Sequence, residues 1–484
     1  MLNGMNGLMD ELWRNTRRQD WLVIAIFAGG VLARVLGYTA SSIRYDEALT
    51  LYRAVLPFGE YLQHLEEYSS IMSWELLIRL LAWGGTELWY LRMAPLALGI
   101  GALVLTWQVS GQMALSQPAR LVVLFLSAFT PGLLWISQDA RPYALQTFLF
   151  LLALLFTHQR RWLGWAAACG LMIYTHAVGP AFALASLVYA LQQNRTEWNT
   201  LAKYWGLVLL TWLPAGILLQ MNSARQAVSG EVAAGFWTGS LTPGTFTWSF
   251  ADAFFTHAVA AGWKAALAVA LAASLILSTW YAIRTRSFHL AGLLLPGLAF
   301  ITVSLSFTNV ATYRTLILLM SPLYLALGIL IDRRHLRILE VGVSVLWLVV
   351  CAAGISFWQP AERGGQVEQL AASVRAQWQE GDIIYYGGGL AALPLDYYLS
   401  PRTSYLLDGT MNENVTPGYL RLFPRLSLEQ IPFKRAWLVF PEARQIPPAQ
   451  YARLLRYAQS GEWVGSAVPF NEPPIQVYLI KALP

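Results

Sequence analysis

The chain has 484 residues, of which 56% are hydrophobic and only 12% are charged, and its formal net charge is +6. A soluble globular protein usually has about 25% charged residues. The composition therefore excludes an ordinary soluble domain and indicates a membrane protein. Arg-rich loops between apolar runs account for the positive charge, so the charge does not point to a nucleic acid partner.

The amino terminus does not have the pattern of a cleavable signal peptide. Asp10, Glu11 and Arg14 precede the first apolar run, and no small-residue cleavage site follows that run. The first span is therefore expected to stay in the mature protein.

Apolar runs long enough to cross a hydrocarbon core recur from Trp21 to Trp358. Because a crossing needs about 20 residues, about eleven spans are predicted. They are Trp21–Tyr38, Leu91–Met113, Leu121–Ile136, Tyr143–Phe156, Leu163–Tyr174, Val178–Leu191, Tyr204–Met221, Trp263–Ile283, Leu290–Phe307, Thr315–Ile331 and Leu336–Trp358.

Basic residues in the short loops set the expected orientation. If every span crosses once, one side receives Arg14, Arg17, Arg18, Arg160, Arg161, Arg195, Lys203, Arg284, Arg286, Arg333, Arg334 and Arg337. That side is predicted to be the cytoplasm, because cytoplasmic loops are enriched in Lys and Arg. The amino terminus is then cytoplasmic, and segments 39–90, 137–142, 175–177, 222–262 and 308–314 and the tail after Trp358 are exported.

Two exported segments are large. Loop 39–90 contains the amphipathic stretches Asp46–Phe58 and Glu60–Tyr68, which are typical of helices at a membrane interface. Simple packing of these helices against the ends of the spans is the alternative. The sequence thus divides into a membrane core, residues 1–358, which includes this loop, and an exported domain, residues 359–484.

The exported domain has the pattern of a small α/β fold. Strands are predicted at Asp382–Tyr386, Arg435–Phe440 and Ile475–Ile480, and helices at Val367–Gln379 and Pro448–Ser460. The triplet Gly387–Gly389 after the first strand favours a tight turn over a phosphate cradle, because no P-loop Lys follows it. Cys169 and Cys351 both fall within spans, so no disulfide is expected in this domain.

Three short motifs carry a resemblance to a known family. Tyr45-Asp46-Glu47-Ala48 opens the first exported loop, Ser137-Gln138-Asp139-Ala140-Arg141-Pro142-Tyr143-Ala144-Leu145 forms a later exported turn, and Tyr313-Arg314 stands at the mouth of a span. Together they resemble the GT-C glycosyltransferases, in particular the bacterial protein O-mannosyltransferase-like branch (glycosyltransferase family 39-like) that includes the aminoarabinose transferases. The resemblance implies an α-helical polytopic membrane protein with a GT-C fold and a small carboxyl-terminal α/β domain.

The resemblance also implies an activity. Such an enzyme transfers a sugar from a polyprenyl-phosphate donor to an acceptor hydroxyl on the extracytoplasmic face, with inversion at the anomeric carbon. Asp46 would be the general base and Glu47 its supporting partner. Asp46 as the N-cap of a helix that begins at Glu47 is the alternative.

Cationic side chains are expected to hold the donor phosphate. By the resemblance these are Arg141 and Arg314, supported by Asp139, Tyr143 and Tyr313, with Arg34 a weaker candidate. Arg44 is a further candidate for the phosphate, and pairing with a carboxylate is the alternative for it. The alternative for Arg141 is an ion pair with Asp139 or contact with lipid head groups, and the alternative for Arg314 is a charge that simply marks a span mouth.

No cofactor is expected, although a divalent metal is left open. Members of the family often have a Pro- or His-containing segment in the first exported loop, but this chain has Tyr68-Ser69-Ser70-Ile71-Met72-Ser73-Trp74-Glu75 there. The candidate ligands are His64, Glu66, Glu67 and Glu75. His176 and His257 are interpreted as interfacial histidines, because their spacing assembles no ligand set.

Two other functional classes are weighed against the transferase. A serine hydrolase is disfavoured because the exported domain has no Gly-x-Ser-x-Gly sequence. A transporter or flippase of lipid-linked saccharides predicts ionisable groups in the middle of spans and related halves of the chain, whereas these groups collect at one face. The expected partners are the lipid bilayer, the polyprenyl-phosphate sugar and a glycan, lipid or protein acceptor.

Overall fold

The computed structural model describes residues 20–63, 72–228, 242–256, 259–285, 288–306, 313–333, 337–358, 366–387, 389–399, 404–407, 425–426, 435–441, 448–467 and 475–480. In this part of the chain, apolar helices precede a six-stranded sheet in the carboxyl-terminal region. This arrangement confirms the predicted helical membrane core followed by an α/β region.

The helices before residue 359 cover every predicted span. They are α1 (Asp20–Gly37), α2 (Tyr45–Val55), α3 (Phe58–Gln63), α4 (Met72–Ala82), α5 (Leu88–Leu91), α6 (Met93–Gln112), α7 (Gln117–Phe129), α8 (Pro131–Ile136), α9 (Tyr143–His158), α10 (Trp162–Ile173), α11 (Gly179–Gln193), α12 (Trp198–Val228), α13 (Pro243–Phe255), α14 (Ala261–Thr285), α15 (Phe288–Ser306), α16 (Tyr313–Leu316), α17 (Met320–Arg333) and α18 (Arg337–Ser356). Short 3-10 turns at Arg195–Glu197 and Ile317–Leu319 lead into α12 and α17.

Four segments are long and apolar enough to cross a membrane by length and composition: Leu88–Gln112, Ala261–Thr285, Arg314–Asp332 and Ile338–Ser356. Shorter apolar helices of the described chain lie at Trp21–Gly37, Gln117–Phe129, Tyr143–His158, Trp162–Ile173 and Leu290–Ala299. The segment Arg314–Asp332 is enclosed by the others, since 89% of its apolar window is buried. Cys169 and Cys351 are both buried free thiols.

The predicted span Leu121–Ile136 is broken in the structure. Helix α7 ends at Phe129 and α8 begins at Pro131, and Thr130 between them has the extended angles φ −63° and ψ 122°. Proline lacks a donor N–H and disfavours helical angles in the residue before it. Pro131 therefore ends α7 and starts a separate helix that leads into the turn at residues 137–142.

The predicted exported segment 222–262 contains more helix than its sequence pattern indicated. Helix α12 continues to Val228, and α13 is capped by Thr242, whose Oγ1 accepts a hydrogen bond of 3.0 Å from the Thr245 backbone N–H. Residues 229–241 and His257 lie outside the described part of the chain.

The loop that is predicted to be exported first, residues 39–90, contains α2, α3, α4 and α5. The helix predicted at Asp46–Phe58 spans Tyr45–Val55, and the one predicted at Glu60–Tyr68 spans Phe58–Gln63. The sequence did not predict α4, which packs against α2. His64, Glu66 and Glu67, three of the candidate metal ligands, lie outside the described residues.

The carboxyl-terminal region consists of α19 (Val367–Gln377), β1 (Ile383–Tyr386), α20 (Gly389–Leu399), β2 (Ser404–Leu407), β3 (Arg425–Leu426), β4 (Ala436–Pro441), α21 (Pro448–Gln459), β5 (Glu462–Ala467) and β6 (Ile475–Ile480). The strand order is β3-β2-β1-β4-β6-β5. Pairs β3–β2, β2–β1 and β1–β4 are parallel, whereas β6 is antiparallel to β4 and β5. The three predicted strands and two predicted helices are confirmed; β2, β3, β5 and α20 were not predicted.

Gly387 directly follows strand β1, and the close packing around it leaves no room for a side chain. A Cβ at Gly387 would lie 2.9 Å from Leu454 Cδ1 and 2.9 Å from Phe440 Cβ, closer than such atoms approach. The Gly387 N–H also donates to the Val439 carbonyl oxygen at 2.7 Å. This glycine therefore allows close packing at the end of the sheet, whereas Gly388 is outside the described residues.

One hydrophobic cluster joins the α/β region to the first exported loop. Ile43, Tyr45, Ala48 and Leu49 belong to the same buried core as Leu370, Ile384, Leu393, Leu399 and Trp437. The boundary predicted at residue 359 separates the sequence patterns, but this core crosses it. Helix α2 is consequently packed between the membrane helices and the α/β region.

Candidate active site

Asp46 lies in the first turn of α2 and forms an ion pair with Arg314 of α16. The helix begins at Tyr45 and its N-cap is Arg44, so the alternative that Asp46 caps a helix starting at Glu47 is wrong. The Asp46 side chain is 13% exposed and that of Arg314 is 19% exposed. Two residues far apart in sequence thus place opposite charges in contact at a partly exposed position.

Glu47, the next residue, faces the protein interior. Its Oε1 accepts hydrogen bonds from Arg92 Nε at 2.8 Å and from the Ala140 backbone N–H at 2.8 Å, and its Oε2 accepts one from Arg92 at 2.7 Å. Burial alone would raise the pKa of Glu47, but Arg92, together with Arg44 and the Ala140 N–H, outweighs burial and lowers this pKa to about 2. The structure therefore pairs Glu47 with Arg92 rather than with Asp46.

Arg92, between α5 and α6, connects the start of the first exported loop to Glu47. Besides its two bonds to that carboxylate, it donates to the backbone oxygens of Tyr38 at 3.2 Å, Ser41 at 2.8 Å and Ser42 at 3.2 Å. The sequence interpretation missed this residue. Basic residues are biased toward the cytoplasm. An arginine at the predicted exported end of a span is an exception to that bias, and this exception could have marked Arg92 as a candidate.

Arg44 and Asp139 form a second buried ion pair. The distance from Arg44 to Asp139 Oδ2 is 2.9 Å, both side chains are 2% exposed, and the Arg44 guanidinium lies 4.5 Å from the centre of the Trp135 ring. Burial raises the pKa of Asp139 to about 7, against the lowering influence of Arg44. Of the two partners predicted for Arg44, a carboxylate and the donor phosphate, the structure shows the carboxylate, and the guanidinium is enclosed.

Arg141 projects from the 137–142 turn toward α2. It donates to Thr50 Oγ1 at 3.0 Å and to the Asp46 backbone oxygen at 3.3 Å. The alternative that Arg141 forms an ion pair with Asp139 is wrong, because Asp139 pairs with Arg44. Arg141 therefore stands beside the helix turn that carries Asp46.

Two aromatic rings lie close to Arg141. The ring centres of Tyr143 and His176 are 5.3 Å apart. Burial, helped by the nearby charge of Arg141, lowers the pKa of His176 to about 3, so this imidazole is neutral at physiological pH. His176, interpreted from sequence as an ordinary interfacial residue, thus lies next to the candidate site. The Tyr313 side chain is outside the described part of the chain.

Arg34 of α1 is buried and supports the turn at residues 137–142. It is 2% exposed, donates to Ser137 Oγ at 3.1 Å, and donates to the backbone oxygens of Gly30, Ser127 and Ala128 at 2.8 to 3.0 Å. A Cβ at Gly99 would overlap Ser137, so glycine lets α6 approach the turn closely. Arg34 and Gly99 therefore help to place the segment that carries Arg141.

Glu75 of α4 is held by a third ion pair, to Arg53 of α2 at 3.1 Å. It is 1% exposed, and burial raises its pKa although Arg53 opposes the rise. The neighbouring Trp74 donates to the Ala140 backbone oxygen at 3.2 Å. No three His, Cys, Asp or Glu side chains are grouped in metal-binding fashion among the residues that the structure describes.

Breaking the Glu47–Arg92 pair should destabilise the fold. Removing one partner of a buried ion pair typically costs about 3–5 kcal/mol, because the other charge stays buried without compensation. We expect Glu47→Gln to lower the thermal unfolding midpoint of the detergent-solubilised protein well below that of Glu197→Gln. The control residue Glu197 pairs with Arg160 at 3.2 Å, where the arginine is 67% exposed, and exposed pairs contribute only about 0–1 kcal/mol.

The same pair gives a pH dependence with a defined sign. The pKa of Glu47 is about 2 in the folded protein and about 4.3 in an unfolded chain. Its stabilisation is therefore fully present above the unfolded value and is lost as pH falls toward the folded one. In Glu47→Gln this loss between those two pH values should shrink relative to the wild type. Equal midpoints for the two Gln variants would contradict the role of the pair.

Comparison with known proteins identifies the fold. No protein-family model matches the chain, and no curated protein matches it in sequence. The chain is similar to solved structures of ArnT from Cupriavidus metallidurans in the apo state and bound to undecaprenyl phosphate. For both, the TM-score is 0.58; the identities are 11% and 12%, with 94% and 95% of this chain and 97% and 98% of ArnT covered.

It is also similar to the Archaeoglobus fulgidus oligosaccharyltransferase in complex with Zn and sulfate, with a TM-score of 0.50 and 13% identity. Here 87% of this chain and 68% of the archaeal chain are covered. At these identities the likeness concerns the fold, which extends over nearly the whole chain in the case of ArnT. The protein thus has the fold of ArnT and of the archaeal oligosaccharyltransferase, in line with the fold that the resemblance to the GT-C glycosyltransferases implied.

Proposed function

We propose that this protein is a membrane glycosyltransferase that moves a sugar from a polyprenyl-phosphate donor to an acceptor hydroxyl, with Asp46 as the general base. One observation carries the proposal. Of the adjacent carboxylates, Glu47 is sealed against Arg92 with both side chains 1% exposed, whereas Asp46 is accessible and faces Arg314. A base has to meet its substrate, and a leaving phosphate needs cations close to the reacting centre.

The ion pair of Asp46 and Arg314 fits the state before donor binding. When the donor phosphate arrives, the Arg314 guanidinium can turn to it, since planar arginine forks bind phosphate well. The carboxylate of Asp46 then loses its partner and can accept the proton of an acceptor hydroxyl. Donor binding would thereby activate the base.

The chemical step follows from these roles. The acceptor oxygen gives its proton to Asp46 and attacks the anomeric carbon, while the bond from that carbon to the phosphate oxygen breaks. The bonding electrons leave with the polyprenyl phosphate, whose increased negative charge is stabilised by Arg314 and by Arg141 beside α2. Attack from the face opposite the leaving group inverts the configuration at the anomeric carbon.

The comparisons support the class of substrate. The ArnT structure of the same fold contains undecaprenyl phosphate, and a further A. fulgidus oligosaccharyltransferase structure, with a TM-score of 0.50, carries a tethered acceptor peptide. For this chain a polyprenyl-phosphate sugar is accordingly the proposed donor, and a glycan, lipid or protein is the proposed acceptor. The proposed location is the cytoplasmic membrane, with the amino terminus inside and the site and α/β region on the exported face.

Vesicles containing the purified protein test both the activity and the orientation. They would be given a panel of undecaprenyl-phosphate-linked sugars with a membrane lipid extract as acceptor source, and released undecaprenyl phosphate would be counted. We expect release only from molecules whose carboxyl-terminal tag is on the side to which substrate was added. Movement of the intact lipid-linked sugar across the bilayer without release would instead establish the transporter or flippase alternative.

A further inference from the structure

Helix α2 has two functional sides. Asp46 faces Arg314, while Tyr45, Ala48 and Leu49 of the same helix enter the hydrophobic core of the α/β region. Helix α20 of that region packs directly on α2. The position of Asp46 is therefore linked by one rigid helix to the α/β region.

A buried carboxylate on α20 is bonded to this helix. Tyr52, near the end of α2, donates its hydroxyl to Asp396 Oδ2 at 2.5 Å. Tyr386 of β1 donates to the other oxygen, Oδ1, at 3.3 Å. Asp396 is 8% exposed, so it fixes Tyr52 to the central strand of the sheet through two hydroxyl bonds.

The next two residues of α20 bind the segment before α2 and the start of α5. The Tyr398 hydroxyl accepts a hydrogen bond from the Ile43 backbone N–H at 2.8 Å, and the Tyr397 hydroxyl accepts one from the Leu88 backbone N–H at 2.9 Å. Three consecutive side chains thus contact the approach to α2, its last turn and the start of α5. Such contacts restrict both translation and rotation of α2.

We infer that Asp396 is a positioning residue, and that the α/β region acts on the reaction by holding α2 so that Asp46 faces the donor site. This inference rests on the proposed function, because it assigns the α/β region a role in the same transfer reaction. A displacement of about 1 Å at a reacting group can cost about 100-fold in rate even when the substituted residue is remote. Asp396 touches no reacting atom, so its effect has to pass through Tyr52 and α2.

Asp396→Asn tests the inference with a matched control. The amide keeps one acceptor oxygen, so only one of the two tyrosine hydroxyls can still donate to this side chain, and the charged acceptor is lost from both contacts. We expect turnover to fall about 10- to 100-fold while donor affinity stays unchanged. The control is Asp382→Asn, which changes a buried carboxylate of the same region that is bonded to Arg435 and Trp437 instead of α2. It should leave turnover near that of the wild type.

Combining substitutions separates positioning from general stability. Tyr52→Phe should lower turnover like Asp396→Asn, and the double variant should be no worse than the more affected single variant, because the effect of Asp396 on α2 has to pass through Tyr52. Additive losses, an equal loss in Asp382→Asn, or unchanged turnover in Asp396→Asn would each overturn the inference.

Hydrogen exchange distinguishes failure of the inference from failure of the proposed function. Amides of Tyr45–Val55 should exchange faster in Asp396→Asn than in the wild type or in Asp382→Asn, whatever chemistry Asp46 performs. Faster exchange together with a fully active Asp46→Asn would reject the general base and keep the positioning of α2. Unchanged exchange in Asp396→Asn would reject the positioning role even if Asp46 proves essential.

Discussion

The substitution Asp46→Asn is expected to abolish sugar transfer and to leave binding of the lipid donor largely intact. The amide keeps the shape of the carboxylate but cannot take a proton from an acceptor hydroxyl, and general-base catalysis typically contributes about 10²- to 10⁴-fold. Single-turnover transfer from a polyprenyl-phosphate sugar and equilibrium binding of the same donor measure the two quantities separately.

The matched control for this change is Asp252→Asn. Asp252 of α13 also forms a partly buried ion pair, with Lys264 at 2.8 Å, but its partner lies on α14 and not on the helix that carries Arg314. We expect its turnover to stay close to the wild type. Near-normal turnover of a folded, membrane-inserted Asp46→Asn would remove the base from the mechanism and leave Asp46 as the ionic partner of Arg314.

Comparing Asp46→Asn with Glu47→Gln separates catalysis from structure at adjacent positions. Both changes replace a carboxylate by an amide of similar shape. Substituting the partly exposed Asp46 should lower the rate with little effect on stability, whereas substituting the enclosed Glu47 should lower stability because Arg92 loses its charged partner. A single helix turn thus directs one carboxylate to the ligand and the next to the interior.

Local pattern was sufficient for much of the fold and for the position of Asp46. Runs of apolar residues identified the helices of the membrane core, and alternating β-branched and aromatic residues identified β1 and β6. The break at Pro131 was also readable from sequence, since proline ends a helix locally, but the continuous apolar run obscured it. These features are set by residues that are close together in the chain, so a single sequence is enough to predict them.

Pairings between distant segments were not readable. The sequence left both a carboxylate and phosphate open as partners of Arg44, and the carboxylate that it meets, Asp139, is 95 residues away; Asp396 likewise meets Tyr52 across 344 residues. Nothing local distinguishes a buried arginine from an open one. Among the arginines considered for the donor phosphate, Arg141 and Arg314 lie beside Asp46. Arg44 and Arg34 are buried. The first two are therefore the arginines to test.

The substitutions Arg314→Ala and Arg141→Ala should each weaken donor binding and slow transfer. A hydrogen bond to a charged group contributes about 1.5–3 kcal/mol, which corresponds to about 10- to 100-fold in affinity. The rate should fall further than the affinity, because charge on the phosphate increases as the bond to the sugar breaks. Arg314→Lys should recover part of the loss, since lysine keeps the charge but lacks the planar fork.

The two variants should also differ from each other. Arg314→Ala removes the ionic partner of Asp46, whereas Arg141→Ala removes a donor to Thr50 Oγ1 and the Asp46 backbone oxygen and leaves the ion pair in place. A saturating donor concentration should restore less of the rate in Arg314→Ala than in Arg141→Ala. Only Arg314→Ala lacks the guanidinium that is proposed to move from Asp46 to the donor phosphate. Arg284→Ala is the control, since this arginine lies at the end of α14 over the Trp280 ring, 5.0 Å from its centre, and is predicted to face the cytoplasm. Normal donor affinity and normal single-turnover rates in both test variants would mean that these arginines only stabilise the structure, and the donor phosphate would then have to bind elsewhere.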